Sequence, residues 1–422
     1  MSTEHESSAK PSRRGFIGGA LGLAGAAAAG GVGYGVARAT SDSSDSSNGD
    51  HIVPFYGTYQ AGIATPTQDR LAFAAFDLTT TDRTKVMVML GTWAAAAAQI
   101  TKGLQVGAVE TAPLSPPIDT GEAVGLTAAN LTITVGFGPS LFDERFGLAD
   151  KMPAALKPLP TLPGDNLLPK LSNGDICVQA CADDPQVAFH AIRNFARLAR
   201  GTAVMRWSQL GFGKTASTSS KQDTPRNLMG FKDGTRNVRG DDPADMDAHV
   251  WVGSETDQPW MRNGSYLVSR RIRMLIESWD TDFLQDQEAI FGRFKDTGAP
   301  LTGKHEFDTP DLDAVGKDGK HVIDLNSHIR LASPVTNDGV KILRRGYSYT
   351  DGMDPATGYL DAGLFFIAYQ KNAHEQFVKL QDRLGRRDTL NEYIRHTSSG
   401  LFACPPGLSG PGDWWGKELF TA

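Results

Sequence analysis

Apolar residues recur along this chain in two rhythms, and the two succeed each other in a repeating order. Asp175-Ile176-Cys177-Val178-Gln179-Ala180 is a short apolar run that predicts a strand. Asp184 as N-cap and Pro185 as first helical residue then open a helix with apolar positions at Ala188, Ile192, Phe195 and Ala199. Far downstream Gly363-Leu364-Phe365-Phe366-Ile367-Ala368-Tyr369 is again a strand. Asn372, with Glu375 three residues on, forms a capping-box pattern, and Phe377, Leu380 and Leu384 mark a helix that Gly385 is expected to stop. The same cadence opens each half: Arg70 to Leu78 leads to an Ala-rich stretch after Trp93, and Ser265 to Ile276 leads to a helix around Phe283 to Phe294.

Two βαβ-like units per half, joined by polar connections, predict an α+β fold of two tandem ferredoxin-like domains with antiparallel sheets. The Ser/Thr/Lys run from Lys214 to Gln222 places their boundary, giving an N-terminal domain over 53–215 and a C-terminal one over 216–422. Gly298 to Gly319, rich in Gly, Asp, Lys and Pro, reads as a surface insertion.

The first residues are an address. Ser12-Arg13-Arg14-Gly15-Phe16-Ile17 is a twin-arginine pattern, an apolar stretch runs from Gly18 to Val36, and Ala37-Arg38-Ala39 offers a small-x-small cleavage site. A membrane anchor is the competing reading, but Gly and Ala dominate where Leu, Ile and Phe would be expected. Residues 1–39 are therefore expected to be a Tat signal read by the Tat translocase, with an extracellular or envelope-associated product and no stable membrane anchor. Residues 40–52, with the Ser/Asp run after Thr40, are too polar to bury and read as a disordered leader.

A net charge of −6, with Lys and Arg scattered rather than massed, excludes nucleic acid as a partner. Three cysteines, Cys177, Cys181 and Cys404, make no disulfide framework and read as small buried apolar residues. Gly213-Lys214-Thr215 has Ser208 where a phosphate loop needs its leading glycine. His305-Glu306 lacks the second histidine of a zinc protease, and Ser140 stands in the wrong place for a nucleophile elbow.

The octapeptide Gly230-Phe231-Lys232-Asp233-Gly234-Thr235-Arg236-Asn237 is more informative. It holds a carboxylate in a glycine-bracketed turn, where positive φ lets the backbone approach a ligand. Alone, such an Asp is usually an ordinary Asx turn. Downstream stand His328, in Ser327-His328-Ile329-Arg330, and Arg344, in Leu343-Arg344-Arg345-Gly346-Tyr347. His190 and His374 fall in helices, His51 in the leader, and His305 and His321 beside the insertion. His328 follows a turn and precedes apolar Ile329 and Leu331, a setting in which a single histidine is more often structural than a ligand.

Glycine-held acid, then histidine, then arginine, in that order, resembles the dye-decolourising peroxidases, and the resemblance spans nearly the whole chain after the leader. It implies the duplicated ferredoxin-like fold and one non-covalent haem b per chain, bound in the C-terminal half. His328 would be the axial iron ligand, with Glu392 as the acid that fixes its imidazole and Asp388 in reserve. Asp233, beside Gly234, would carry protons, and Arg344 would stabilise charge. Leu364 and Phe366 would wall the distal pocket, and Arg330 would reach a haem propionate. The partners implied are hydrogen peroxide and an organic reductant such as a dye or phenolic. Two rivals stand beside this reading, a haem-handling protein of iron uptake and a haem-free pair of ferredoxin-like modules. Oligomeric state stays open, a homo-oligomer included.

Overall fold

Every residue of the strand from Leu71 to Phe76 is buried, although its side chains point alternately to opposite faces. A strand apolar on both faces needs cover on both. In the computed structural model, which describes residues 51–110 and 112–421, one face looks into a barrel and the other lies under helices. The expected signal and most of the expected leader lie outside the described residues.

The strands are β1 (Arg70–Leu78), β2 (Thr132–Phe137), β3 (Ile176–Ala182), β4 (Ala203–Lys214), β5 (Ser265–Met274), β6 (Leu343–Arg344), β7 (Tyr347–Met353), β8 (Leu360–Gln370) and β9 (Ile394–Cys404). The helices are α1 (Arg83–Ile100), α2 (Pro185–Leu198), α3 (Pro243–His249), α4 (Ile276–Trp279), α5 (Leu284–Phe291), α6 (His328–Ala332), α7 (Phe377–Arg387) and α8 (Lys417–Thr421). Strands neighbour each other in the order β5-β9-β2-β3-β1-β4-β7-β8, all antiparallel, and β8 pairs again with β5 from Tyr266↔Gln370 to Arg273↔Gly363. The sheet therefore closes on itself. The other edge of β8 is taken first by β7 and then by β6. The architecture is a mixed α/β fold around one closed antiparallel sheet.

The barrel interior holds Phe73 stacked on Trp207 at 5.4 Å, with Phe365, Tyr369 and Phe402 around them. Cys177, Cys181 and Cys404 are free thiols in this interior, and burial pushes all three pKa values up. Outside, α1 and α2 cover the N-terminal half of the sheet. Trp93 stacks on Phe195 at 4.9 Å and donates its indole N–H to the Phe195 carbonyl at 3.0 Å. Asp184 caps α2 by accepting from Gln186 N and Val187 N, as the Asp-Pro pattern predicts.

The second expected cap differs. α7 starts at Phe377, and it is Gln376, not Glu375, whose side chain accepts from Asn372 N. Gly385 does not stop the helix, which runs on to Arg387. Its missing side chain is needed for packing, because a Cβ there would lie 2.3 Å from the Pro163 carbonyl oxygen.

One buried titratable group gives the fold a pH dependence. His396 on β9 is 3% exposed, and burial, reinforced by the Arg270 guanidinium, lowers its pKa from 6.5 to about 3. Between those values the unfolded chain binds a proton that the folded chain does not. This contribution is therefore complete above pH 6.5 and lost toward pH 3, at about 1.4 kcal/mol per pH unit. Urea unfolding between pH 7 and 4 is expected to show a shallower acid decline for His396→Gln than for the parent chain.

Candidate active site

The acidic turn is built as its glycines require. Gly230 and Gly234 have φ of +84° and +95°, and a Cβ on Gly234 would stand 3.0 Å from Ala216 Cα. Asp233 N donates to the Pro225 carbonyl at 2.9 Å, and Asn227 Nδ2 donates to Asp233 Oδ2 at 3.3 Å. Arg344 Nη1 donates to Asp233 Oδ1, so the two residues chosen for the distal side meet in one ion pair. Asn237, the last residue of the octapeptide, holds Arg344 in place. Its Oδ1 accepts from Arg344 N at 2.7 Å, and its Nδ2 donates to Arg344 O at 2.8 Å. Arg345 turns the other way, as strand alternation demands, and is fully buried on Gln68 Oε1 and the Thr65 carbonyl.

His328 is the first residue of α6. Its Nδ1 bonds Asp388 Oδ2 at 2.6 Å, while Asp388 Oδ1 accepts from Leu390 N at 2.9 Å. Glu392 is solvent-exposed and takes no part, so the buried carboxylate held in reserve is the partner. The physical reason is local. Asp388 caps the short 3-10 turn Thr389–Glu392 at the end of α7, which aims its side chain inward at α6. Burial by itself would lower the His328 pKa, but the Asp388 carboxylate outweighs it and raises the value. An ionised acceptor at Nδ1 requires Nδ1 to carry the hydrogen, which leaves the Nε2 lone pair free to donate.

The two sides lie close together. Asp233 and Arg344 both shift the His328 equilibrium through space, with opposite signs. Phe231, two residues before Asp233, stacks on Phe291 at 4.1 Å, and Phe291 meets the His328 ring at 5.9 Å and 63°. Leu364 and Phe366 share one face of β8 and stay half-buried, whereas Phe365 and Ile367 on the opposite face are fully buried in the barrel. Arg330 is not brought to the cleft. It is buried on the Ile323 and Leu312 carbonyls, because two residues along a helix turn it away from His328.

This donor set fits a porphyrin. Among the described residues no group of three or more His, Cys, Asp or Glu could hold a bare metal ion. His328 would hold the iron of a haem through its free Nε2, and the apolar Leu364, Phe366 and Phe291 would suit the macrocycle. Replacing Asp388 with Ala is expected to weaken haem retention about 10- to 100-fold, the usual cost of removing an orienting carboxylate. Glu392→Ala should leave it unchanged, with both read by haem titration of the apoprotein.

Comparison with known proteins agrees. The family models for the N-terminal and C-terminal parts of the Dyp-type peroxidases match residues 60–213 and 224–409. The chain is 41% identical to the deferrochelatase of Escherichia coli (strain K12) over 372 residues, 87% of this chain and 86% of that one. A DyP-type peroxidase structure from Streptomyces coelicolor matches with a TM-score of 0.81 at 40% identity, covering 89% of this chain and 98% of its own. Ferric DtpA from Streptomyces lividans matches with a TM-score of 0.80 at 39% identity, covering 89% and 98%. A paired acid and arginine facing a carboxylate-held imidazole thus sit on a matching fold, and the chain belongs to the Dyp-type peroxidase family of haem-dependent oxidoreductases.

Proposed function

We propose that this peroxidase uses hydrogen peroxide to oxidise bulky organic substrates, dyes or phenolics, in one-electron steps. The observation that carries the reading is the Asp233–Arg344 pair facing the Asp388-held imidazole of His328. His328 would hold haem b, with Leu364 and Phe366 as its apolar walls, and the bound haem would supply the redox chemistry. Asp233 takes a proton from one oxygen of hydrogen peroxide and returns it to the other, which leaves as water; this is general acid–base work for a carboxylate. Arg344 cannot act as a base, but its fixed positive fork stabilises the charge that develops on oxygen as the bond lengthens. Asp388 keeps the His328 tautomer whose Nε2 lone pair would be free for a haem iron.

We read each half as a ferredoxin-like unit, with the boundary near 215. In space the strands of the first half run β4-β1-β3-β2 and those of the second β9-β5-β8-β7, the same order for the same succession along the chain. Export by the Tat pathway to the cell envelope or beyond rests on the twin-arginine segment alone. Among the described residues no helix is long and apolar enough to cross a membrane.

The relatives named deferrochelatase favour a second reading, in which iron leaves haem with the porphyrin intact. Incubating the chain with haem and separating the products decides between them. Metal-free protoporphyrin would support that reading, and dye oxidation with haem unconsumed would support peroxidation.

His328→Ala is expected to abolish the Soret spectrum of histidine-ligated ferric haem; an unchanged spectrum would give the role to another histidine. Asp233→Ala and Arg344→Ala should each slow the reaction with peroxide by at least about 100-fold in stopped flow. If neither does, the distal assignment fails.

A further inference from the structure

The segment between α5 and α6, which includes the stretch read from sequence as a surface insertion, is bound both to the acidic turn and its flanks and to the helix of His328. From the acidic turn, Arg226 donates to the Lys295 and Asp296 carbonyls at 2.6 Å each. Arg236 donates to the Phe307 and Asp308 carbonyls at 3.1 Å, and the Arg239 guanidinium lies 5.8 Å from the Phe307 ring centre. Between these contacts stands Glu306, whose side chain is 10% exposed. One of its oxygens pairs with Lys232 Nζ, and the other accepts from Thr235 Oγ1 at 3.1 Å. Lys232 and Thr235 flank Asp233 and Gly234 in sequence, so one carboxylate grips the turn on either side of the acid. Arg293, buried at the far end of α5, donates to the Glu306 and Gly298 carbonyls at 3.0 and 2.6 Å and holds the backbone of the clamp. Further along the same segment, the Leu312 and Ile323 carbonyls receive Arg330 from α6, the helix that carries His328.

We propose that Glu306 is a positioning residue for the peroxide reaction: it clamps the turn that holds Asp233, within a segment that braces the distal turn and the proximal helix together. Two physical effects combine. The clamp restricts a turn whose glycine-rich backbone would otherwise sample many conformations. It also occupies the Lys232 ammonium, which is next in sequence to Asp233 and, if released, could compete with Arg344 for that carboxylate. Burial would raise the Glu306 pKa, but hydrogen bonds from Lys232, Thr224 and Thr235 hold it below the usual carboxylate range, so the clamp is charged at neutral pH.

This inference rests on Asp233 as the proton carrier, and its test separates the two. Glu306→Gln keeps the size of the side chain and an acceptor for Thr235 while removing the charge that pairs Lys232; Glu306→Asp keeps the charge. In the haem-loaded protein, Glu306→Gln is expected to speed amide hydrogen exchange in residues 231–237 by about tenfold, with β5 and β8 unchanged. It should also lower the second-order rate constant for hydrogen peroxide by about 10- to 100-fold without changing KM for the dye, and Glu306→Asp should recover part of both. Unchanged exchange and rate would overturn the proposal, as would faster exchange throughout the sheet. Faster exchange in the turn with an unchanged peroxide rate would also overturn it, provided Asp233→Ala slows the reaction; if Asp233→Ala does not, it is the proton-carrier reading that fails.

Discussion

Strand β8 has to satisfy two environments at once, and the site depends on how it does so. Its pairing with β5 closes the sheet, which commits Phe365, Ile367 and Tyr369 to the barrel interior. Alternation then leaves Leu364 and Phe366 the opposite face, where Leu364 packs against the cluster of Phe231 and Phe291 and Phe366 against Phe377. The same strand carries β6 on its other edge, with Arg344 opposite Ala368, and so fixes where the guanidinium emerges. A slip of one residue in this register would exchange the two faces of β8.

Around that strand the cleft is organised by two carboxylates with different work. Asp388 is buried and bonded to the His328 imidazole and to the Leu390 backbone amide. Asp233 is paired with the Arg344 guanidinium and accepts from the Asn227 amide. The aromatic contacts from Phe231 through Phe291 to His328 link the two sides. Here a small hydrophobic core with Trp279 and Tyr393 does structural work for chemistry on both sides.

Much of the remaining rigidity comes from cations bound to backbone carbonyls. Arg226, Arg236, Arg293 and Arg330 each satisfy carbonyls of the segment between α5 and α6, a stretch with little regular structure to satisfy them internally. Irregular backbone packed against a site needs such donors, since an unpaired buried carbonyl is costly. Arginine, with five N–H groups in a planar fork, suits that role better than lysine.

The sequence by itself determined what is local. Asp-Pro marks the start of α2, the apolar runs mark the strands, and the glycines around Asp233 mark a turn with positive φ, because each depends on a few adjacent residues. The order of acid, histidine and arginine was enough to name the family. Sequence order could not choose between Asp388 and Glu392, because only the direction of the cap after α7 decides which carboxylate meets His328. It could not tell that Arg330 faces away from the cleft, that Gly385 is a packing glycine within a helix, or that Glu306 lies against the acidic turn. Those facts belong to contacts between residues tens of positions apart, set by closure of the sheet and the packing of α6, α7 and the intervening segment upon it. Local pattern carries no information about such distances, and the tertiary structure alone decided them.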